Sequence, residues 1–396
     1  MNARERSSFS LPRLEPLQWV ILVALLAALA YASLDLLALS RFQAPGADYS
    51  CFWAGAKTAL SDPARIYDFD HNTAVQGWPL GPGRVRPYVY PPTALLLFAP
   101  FALPAYWTGY GLWVAVTGLL FLWAARRIGA PWPLVLLMPA VALVAFCGQV
   151  TFVIGGLVLG GLSLRRRPIL AGLLFGLAAV VKPQFMVLVP LALLAEGRWR
   201  TLIAAGATGA LLALATLLVW GPQIWLDWLA ALPRFNALIF HDRGLTEDAI
   251  TPYAALVSTG HAGAWALLLA PAAAALVWFG FRRTPDLADR SLLLFGATTL
   301  VTPYAMNYEL ALFAPGVAVY LSRLCDPRWT KYAAAALGYV LLPWAFPSVL
   351  PALALALAPL LRPGLARDNA ETSGASSPPR RAESPDLGPL RPDPVQ

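Results

Sequence analysis

Charge is scarce in this chain. Asp, Glu, Lys and Arg make up only 13% of its 396 residues, where a soluble domain usually carries about 25%. With 58% hydrophobic residues and a mean hydropathy of +0.61, this scarcity excludes an ordinary soluble domain and points to a polytopic membrane protein. Cysteine is equally sparse. Cys51, Cys147 and Cys325 lie far apart with no CxxC pair, which argues against a disulfide framework or a zinc site. The histidines, His71, His241 and His261, form no HExxH pattern, and no Walker-type glycine loop is present. No metal and no cofactor is therefore expected. The basic excess, +8 at pH 7, comes in short arginine clusters between apolar runs. That placement fits orientation in a membrane and not nucleic-acid binding.

Arg4, Arg6 and Arg13 precede an apolar run over 17–39, too long for a cleaved signal peptide and suited to a retained first span. With the arginine clusters taken as cytoplasmic, further spans follow over 105–125, 133–149, 151–164, 201–220, 262–281, 332–345 and 349–361. Two hairpins, 169–195 and 291–321, enter and leave from the cytoplasmic side, and the short run 90–103 is either a span or an interfacial helix. The expected fold is an all-α polytopic bundle of roughly 10–12 transmembrane helices, with short interfacial helices in the first external loop. Its expected parts are a cytoplasmic N-terminus over 1–16, a transmembrane domain over 17–361 and a disordered Pro/Arg/Ser-rich cytoplasmic tail over 362–396. The two long loops, about 40–90 and 221–261, would be external. The second contains Trp225 and Trp228 in an amphipathic stretch suited to the membrane interface. The cytoplasmic loops are too short to form a nucleotide-binding domain, so chemistry is expected at the external face of the plasma (inner) membrane.

Lys182 is the most informative residue. It lies between the apolar runs 169–181 and 185–195, which Arg165-Arg166-Arg167 and Arg198-Trp199-Arg200 bound at their far ends. A helix over the first run rises roughly 20 Å of a ~30 Å hydrocarbon layer, leaving the ammonium about 10 Å below the opposite surface. A charge at that depth costs at least ~2.5–3.5 kcal/mol unless it faces a polar cavity or a counter-ion. The alternative is a tilted hairpin whose lysine snorkels to the headgroups.

Other polar residues approach the same external face. Asp48 just outside the first span is either a general base for an acceptor hydroxyl or the N-cap of a helix over 49–60. Arg84 and Arg86 are either phosphate ligands or solvated loop arginines. Gln149 places an amide at the outer end of a span. Gln184 follows Lys182 in its turn, and Thr302-Pro303-Tyr304 leads to Tyr308 and Glu309 in the second hairpin. Each of these three turns alone is more simply a helix cap or a bundle hydrogen bond, whereas the two readings of Asp48 balance. Together they would line one outward-facing cavity, with Lys182 for a lipid-linked phosphate and a carboxylate for the incoming hydroxyl.

Asp48-Tyr49-Ser50-Cys51-Phe52-Trp53-Ala54, Ile66-Tyr67-Asp68, Tyr90-Pro91-Pro92, Gly148-Gln149, the stretch from Ala171-Gly172 to Lys182-Pro183-Gln184, and Thr302-Pro303-Tyr304 to Tyr308-Glu309-Leu310 follow one another in an order that resembles glycosyltransferase family 87. That family belongs to the GT-C superfamily of integral membrane enzymes. The resemblance runs over roughly residues 15–325. It implies transfer of a hexose, often mannose, from a polyprenyl-phosphate carrier to a lipid or glycan acceptor, with inversion and an external active site. It places Asp48 at the position of the catalytic base. It also implies substrate contacts for Lys182, Gln149, Gln184, Tyr90, Arg86, Tyr308 and Glu309. Where many relatives carry Tyr-Asp, this chain has Tyr308-Glu309, which keeps the charge and lengthens the reach. Two other classes compete. A transporter or flippase of a lipid-linked sugar would show internal repeats, and a surface-glycan ligase would take a diphosphate-linked donor.

Overall fold

The computed structural model describes residues 16–41, 43–77, 86–241, 248–323 and 357. The expected spans 332–345 and 349–361, the 362–396 tail, most of the N-terminus and Arg84 lie outside them. Among the described residues the protein is all-α, and its β-type pairing is an isolated bridge between Ala249 and Met306. Helix α1, Pro16–Leu39, leads into α2, Tyr49–Ser61, and α3, Phe69–Gln76. Tyr106–Arg127, Trp199–Trp220 and Gly263–Arg283 are each long and apolar enough to cross a membrane. The first two are α5 and α11, and the third opens with a 3₁₀ segment before α14, Ala270–Arg283. Between α11 and α14 the chain forms α12, Gln223–His241, and α13, Pro252–Ser258. The protein is thus an all-α polytopic membrane protein.

The run 90–103 forms only the nine-residue helix α4, Ala94–Ala102. Its rise of about 14 Å covers half a hydrocarbon layer, so this element is not a full span. The expected span 133–149 is two helices, α6, Trp132–Leu136, and α7, Pro139–Cys147. Pro139 lacks an N–H and forces the preceding Met138 into an extended conformation (φ −72°, ψ 126°), breaking the helix.

Helix α8, Thr151–Ser163, is buried along almost its whole length and packs between α5 and α9, Pro168–Val181. The α9–α11 packing is close because Gly176 has no side chain: a Cβ there would meet the Thr208 Cβ at 2.5 Å and the Ala205 carbonyl at 2.7 Å. Such small-residue seams drive helix association in lipid, where no hydrophobic gain separates helix from solvent.

Both expected hairpins are present. Pro183 ends α9, and a 3₁₀ turn over Pro183–Met186 precedes α10, Val189–Ala195. In the second hairpin α15 is Leu287–Val301, one turn longer at its start than the apolar pattern suggested. Asp286 caps it by accepting from the N–H groups of Ala288 and Asp289. The extra turn carries a buried Arg290, which reads as a boundary in sequence and is neutralised in the fold. A 3₁₀ segment, Asn307–Leu312, and α16, Ala314–Ser322, complete the hairpin.

Arg290 belongs to a cluster at one end of the bundle. Glu196, between α10 and α11, pairs with Arg290 and Arg165 at 2.9 Å each and with Arg198 at 3.5 Å. Arg198 also donates to the Gly161 carbonyl of α8, and Arg282 of α14 donates to the Ala195 carbonyl. The arginine clusters that the topology placed on one side therefore converge. The turns bearing Gln149 and Lys182 lie at the opposite ends of α8 and α9.

Candidate active site

At that opposite end the start of α2 is held against the end of α7. The Gly46 N–H donates to the Phe146 carbonyl at 2.7 Å and the Asp48 N–H to the Cys147 carbonyl at 3.0 Å. Gly148 ends α7 with φ +73°, a left-handed conformation that favours glycine. Its carbonyl accepts from the Trp113 indole at 2.9 Å. This turn sets Gln149 beside Asp48.

Asp48 occupies the N-cap position of α2, yet its carboxylate caps nothing, and its backbone is αR. Only 7% exposed, it instead accepts from the Gln149 amide through Oδ2 at 2.8 Å and pairs with Arg86 through Oδ1. The nearby Asp68 behaves differently. It caps α3 by accepting from the Asp70 and His71 N–H groups and pairs with Arg65 at 3.1 Å. The His71 N–H above all, with Arg65, holds its carboxyl below the usual range. Asp68 is a structural cap, and the Asp48 carboxylate is not.

Arg86 is positioned from both sides. Its second guanidinium nitrogen donates to Gln43 Oε1 at 3.0 Å, and its carbonyl accepts from the Gln76 amide at 2.6 Å. Gln76 in turn accepts from the Ser50 hydroxyl at 3.0 Å. Neither Gln43 nor Gln76 stood out in sequence, because an isolated glutamine carries no pattern.

Lys182 is 3% exposed and forms an ion pair with Glu309, which is 2% exposed. Snorkelling to the headgroups is thereby replaced by a buried counter-ion. The other Glu309 oxygen accepts from the Met306 N–H at 2.8 Å. Around the ammonium stand the rings of Phe185, Tyr304 and Tyr308, with centroids at 4.9, 5.8 and 5.9 Å, in cation–π range. The Tyr304 and Tyr308 hydroxyls lie 3.3 Å apart.

The two ion pairs lie on packed elements: the 3₁₀ segment bearing Tyr308 and Glu309 packs against α7 and α8. Tyr90 packs edge-on against Phe52. Gln184 is less engaged: its carbonyl accepts from the Thr302 hydroxyl at 3.4 Å, and its side chain is half-buried.

Both long loops close over this end. Trp228, on α12, donates to the Val89 carbonyl at 3.0 Å. The Asn307 N–H donates to the Asp248 carbonyl at 2.9 Å, the Ile250 N–H to that of Ala305 at 2.8 Å, and the Thr251 hydroxyl to that of Pro303 at 3.0 Å. No cluster of three or more potential metal-ligating side chains occurs among the described residues.

The site thus brings together a buried carboxylate paired with Arg86 and a buried ammonium paired with Glu309 among aromatic rings. The family model of glycosyltransferase family 87 matches residues 88–303. The chain belongs to that family and is a membrane glycosyltransferase, which decides against the transporter class. The matched segment contains Tyr90, Gln149, Lys182 and Gln184, whereas Asp48, Arg86, Tyr308 and Glu309 lie outside it. No curated protein and no solved structure matches the chain.

Proposed function

We propose that this glycosyltransferase moves a hexose, mannose by family resemblance, from a polyprenyl-phosphate carrier to a lipid or glycan acceptor at the external face of the plasma membrane. The acceptor hydroxyl attacks the anomeric carbon and gives its proton to Asp48. The bond from that carbon to the phosphate oxygen breaks, its electron pair leaves with polyprenyl phosphate, and the configuration inverts. What carries the reading is the Asp48 carboxylate: buried, unused as a cap, bound by Gln149, and paired with Arg86, a cation that suits a phosphodiester. Among the described residues the Lys182 ammonium has one hydrogen-bond acceptor, Glu309, and so retains donor capacity for a phosphate oxygen. Tyr90, Tyr304 and Tyr308 would offer faces for a sugar ring, and Gln184, two residues after Lys182, would add an amide. Residues 17–361 form the catalytic domain on this reading, flanked by cytoplasmic termini.

Removing Lys182 alone would strand Glu309, so the donor contact is best read in a background lacking that charge. Lys182→Met in Glu309→Gln protein should bind a non-hydrolysable polyprenyl-phosphonate hexose more weakly than Glu309→Gln alone. The loss corresponds to a charge-assisted contact of ~1.5–3 kcal/mol. Equal affinity of the two proteins would remove Lys182 from the donor site.

The sidedness has its own check. Single cysteines at positions 68 and 247 should react with a membrane-impermeant thiol reagent in intact cells, while cysteines at 166 and 282 should react only after permeabilisation. The opposite pattern would put the Asp48 end in the cytoplasm.

A further inference from the structure

We infer that Asp48 is masked by Arg86 in the resting enzyme and that the donor phosphodiester unmasks it, taking the guanidinium by exchange and freeing Oδ1 to accept the acceptor's proton. This rests on the function proposed above. It adds an order of events and names the atom of the base.

Each of these two cations already has a carboxylate partner: Arg86 with Asp48, and Lys182 with Glu309. An arriving phosphodiester can use the spare Lys182 donors without breaking a pair, but takes the Arg86 guanidinium only by exchange with Asp48. The pairs differ in how readily they exchange. Lys182 and Glu309 are enclosed, with side chains 4% and 2% exposed, and Glu309 is fixed a second time by the Met306 N–H. The Arg86 side chain is 26% exposed against 4% for Lys182, so its pair is the more accessible of the two. Its carbonyl is anchored by Gln76 while the guanidinium is held by side chains, Asp48 and Gln43. The head group can thus swing while the backbone stays in place.

The two oxygens of Asp48 have separate partners. Oδ2 takes the Gln149 amide and Oδ1 takes Arg86. When Arg86 leaves, Gln149 still fixes the plane of the carboxylate and Oδ1 is left open. A carboxylate beside a guanidinium is a poorer proton acceptor than one without it. Exchange therefore raises basicity at the moment the donor arrives, and the enzyme does not present an active base to water before then.

The test is binding of the polyprenyl-phosphonate hexose to the full chain in nanodiscs. Asp48→Asn should bind it about tenfold more tightly than wild type, because the competitor for Arg86 is gone. In Arg86→Gln protein the same Asp48→Asn change should leave affinity unaltered. Unchanged or weaker binding by Asp48→Asn overturns the exchange, and so does tightening that persists in Arg86→Gln, which marks simple charge repulsion. Wild-type protein supplies an independent check: acceptor should bind measurably only after the phosphonate has been added, and equal binding without it contradicts the proposal. These outcomes are separable from failure of the proposed function. An Asp48→Asn enzyme that turns over normally rejects the base itself, whereas an inactive Asp48→Asn enzyme with wild-type phosphonate affinity rejects only the exchange.

Discussion

Asp48→Asn is expected to slow sugar transfer by ~10²–10⁴-fold, the usual consequence of losing a general base. The substitution is close to isosteric, and the carbonyl oxygen of the introduced asparagine can still accept from the Gln149 amide, which now meets Asp48 at 2.8 Å. Helix α2 should be unaffected, because the Asp48 side chain makes no capping bond to it. Its start is held by backbone bonds from Gly46 and Asp48 to the end of α7. A normal thermal melt with a collapsed transfer rate is therefore the predicted combination. Turnover near the wild-type rate would leave Asp48 a structural partner of Arg86 and make Glu309 the next carboxylate to examine.

The largest effect on stability is expected at the other end of the molecule. Glu196 is 2% exposed at its side chain and is the carboxylate shared by Arg165, Arg198 and Arg290. Glu196→Gln leaves three guanidinium groups facing one another, two of them largely buried. Breaking a buried ion pair by removing one partner typically costs ~3–5 kcal/mol. The loss should appear as a lower melting temperature in detergent, with the Asp48 chemistry retained below the melt. Arg165→Gln is the matching control: that side chain is 48% exposed, and an exposed ion pair contributes only ~0–1 kcal/mol. Equal melting temperatures for the two variants would show that the cluster does not support the fold.

The hairpin at Lys182 was legible in the sequence because the signal is local: two apolar runs, arginines at their far ends and Pro183 at the turn. The counter-ion was not. Glu309 lies 127 positions away, and only the packing of the Pro183–Met186 turn against the second hairpin brings the two together. The same limit hid the Arg86–Asp48 contact. Asp48 before an amphipathic run has the appearance of a cap whether or not its side chain turns toward the helix, so the choice lay in the distant Gln149 and Arg86. Arg290 misled in the opposite direction. A charge at the edge of an apolar run marks a membrane boundary by default, and only the three-arginine cluster shows why α15 can begin before it. Pro139 did carry a local signal for the break between α6 and α7, one that the continuous apolar composition of 133–149 overrode.

The most direct measurement of the central claim is sugar transfer by the purified full chain in nanodiscs. Polyprenyl-phosphate mannose and a nucleotide-linked mannose would be offered separately with a cell-envelope lipid extract, and the anomeric configuration of the product read by NMR. The expected result is transfer from the polyprenyl-phosphate donor alone, with the anomeric centre inverted. Transfer from the nucleotide sugar would contradict the account, and so would a product that keeps the donor's configuration, which requires a covalent sugar intermediate instead of a base-activated hydroxyl.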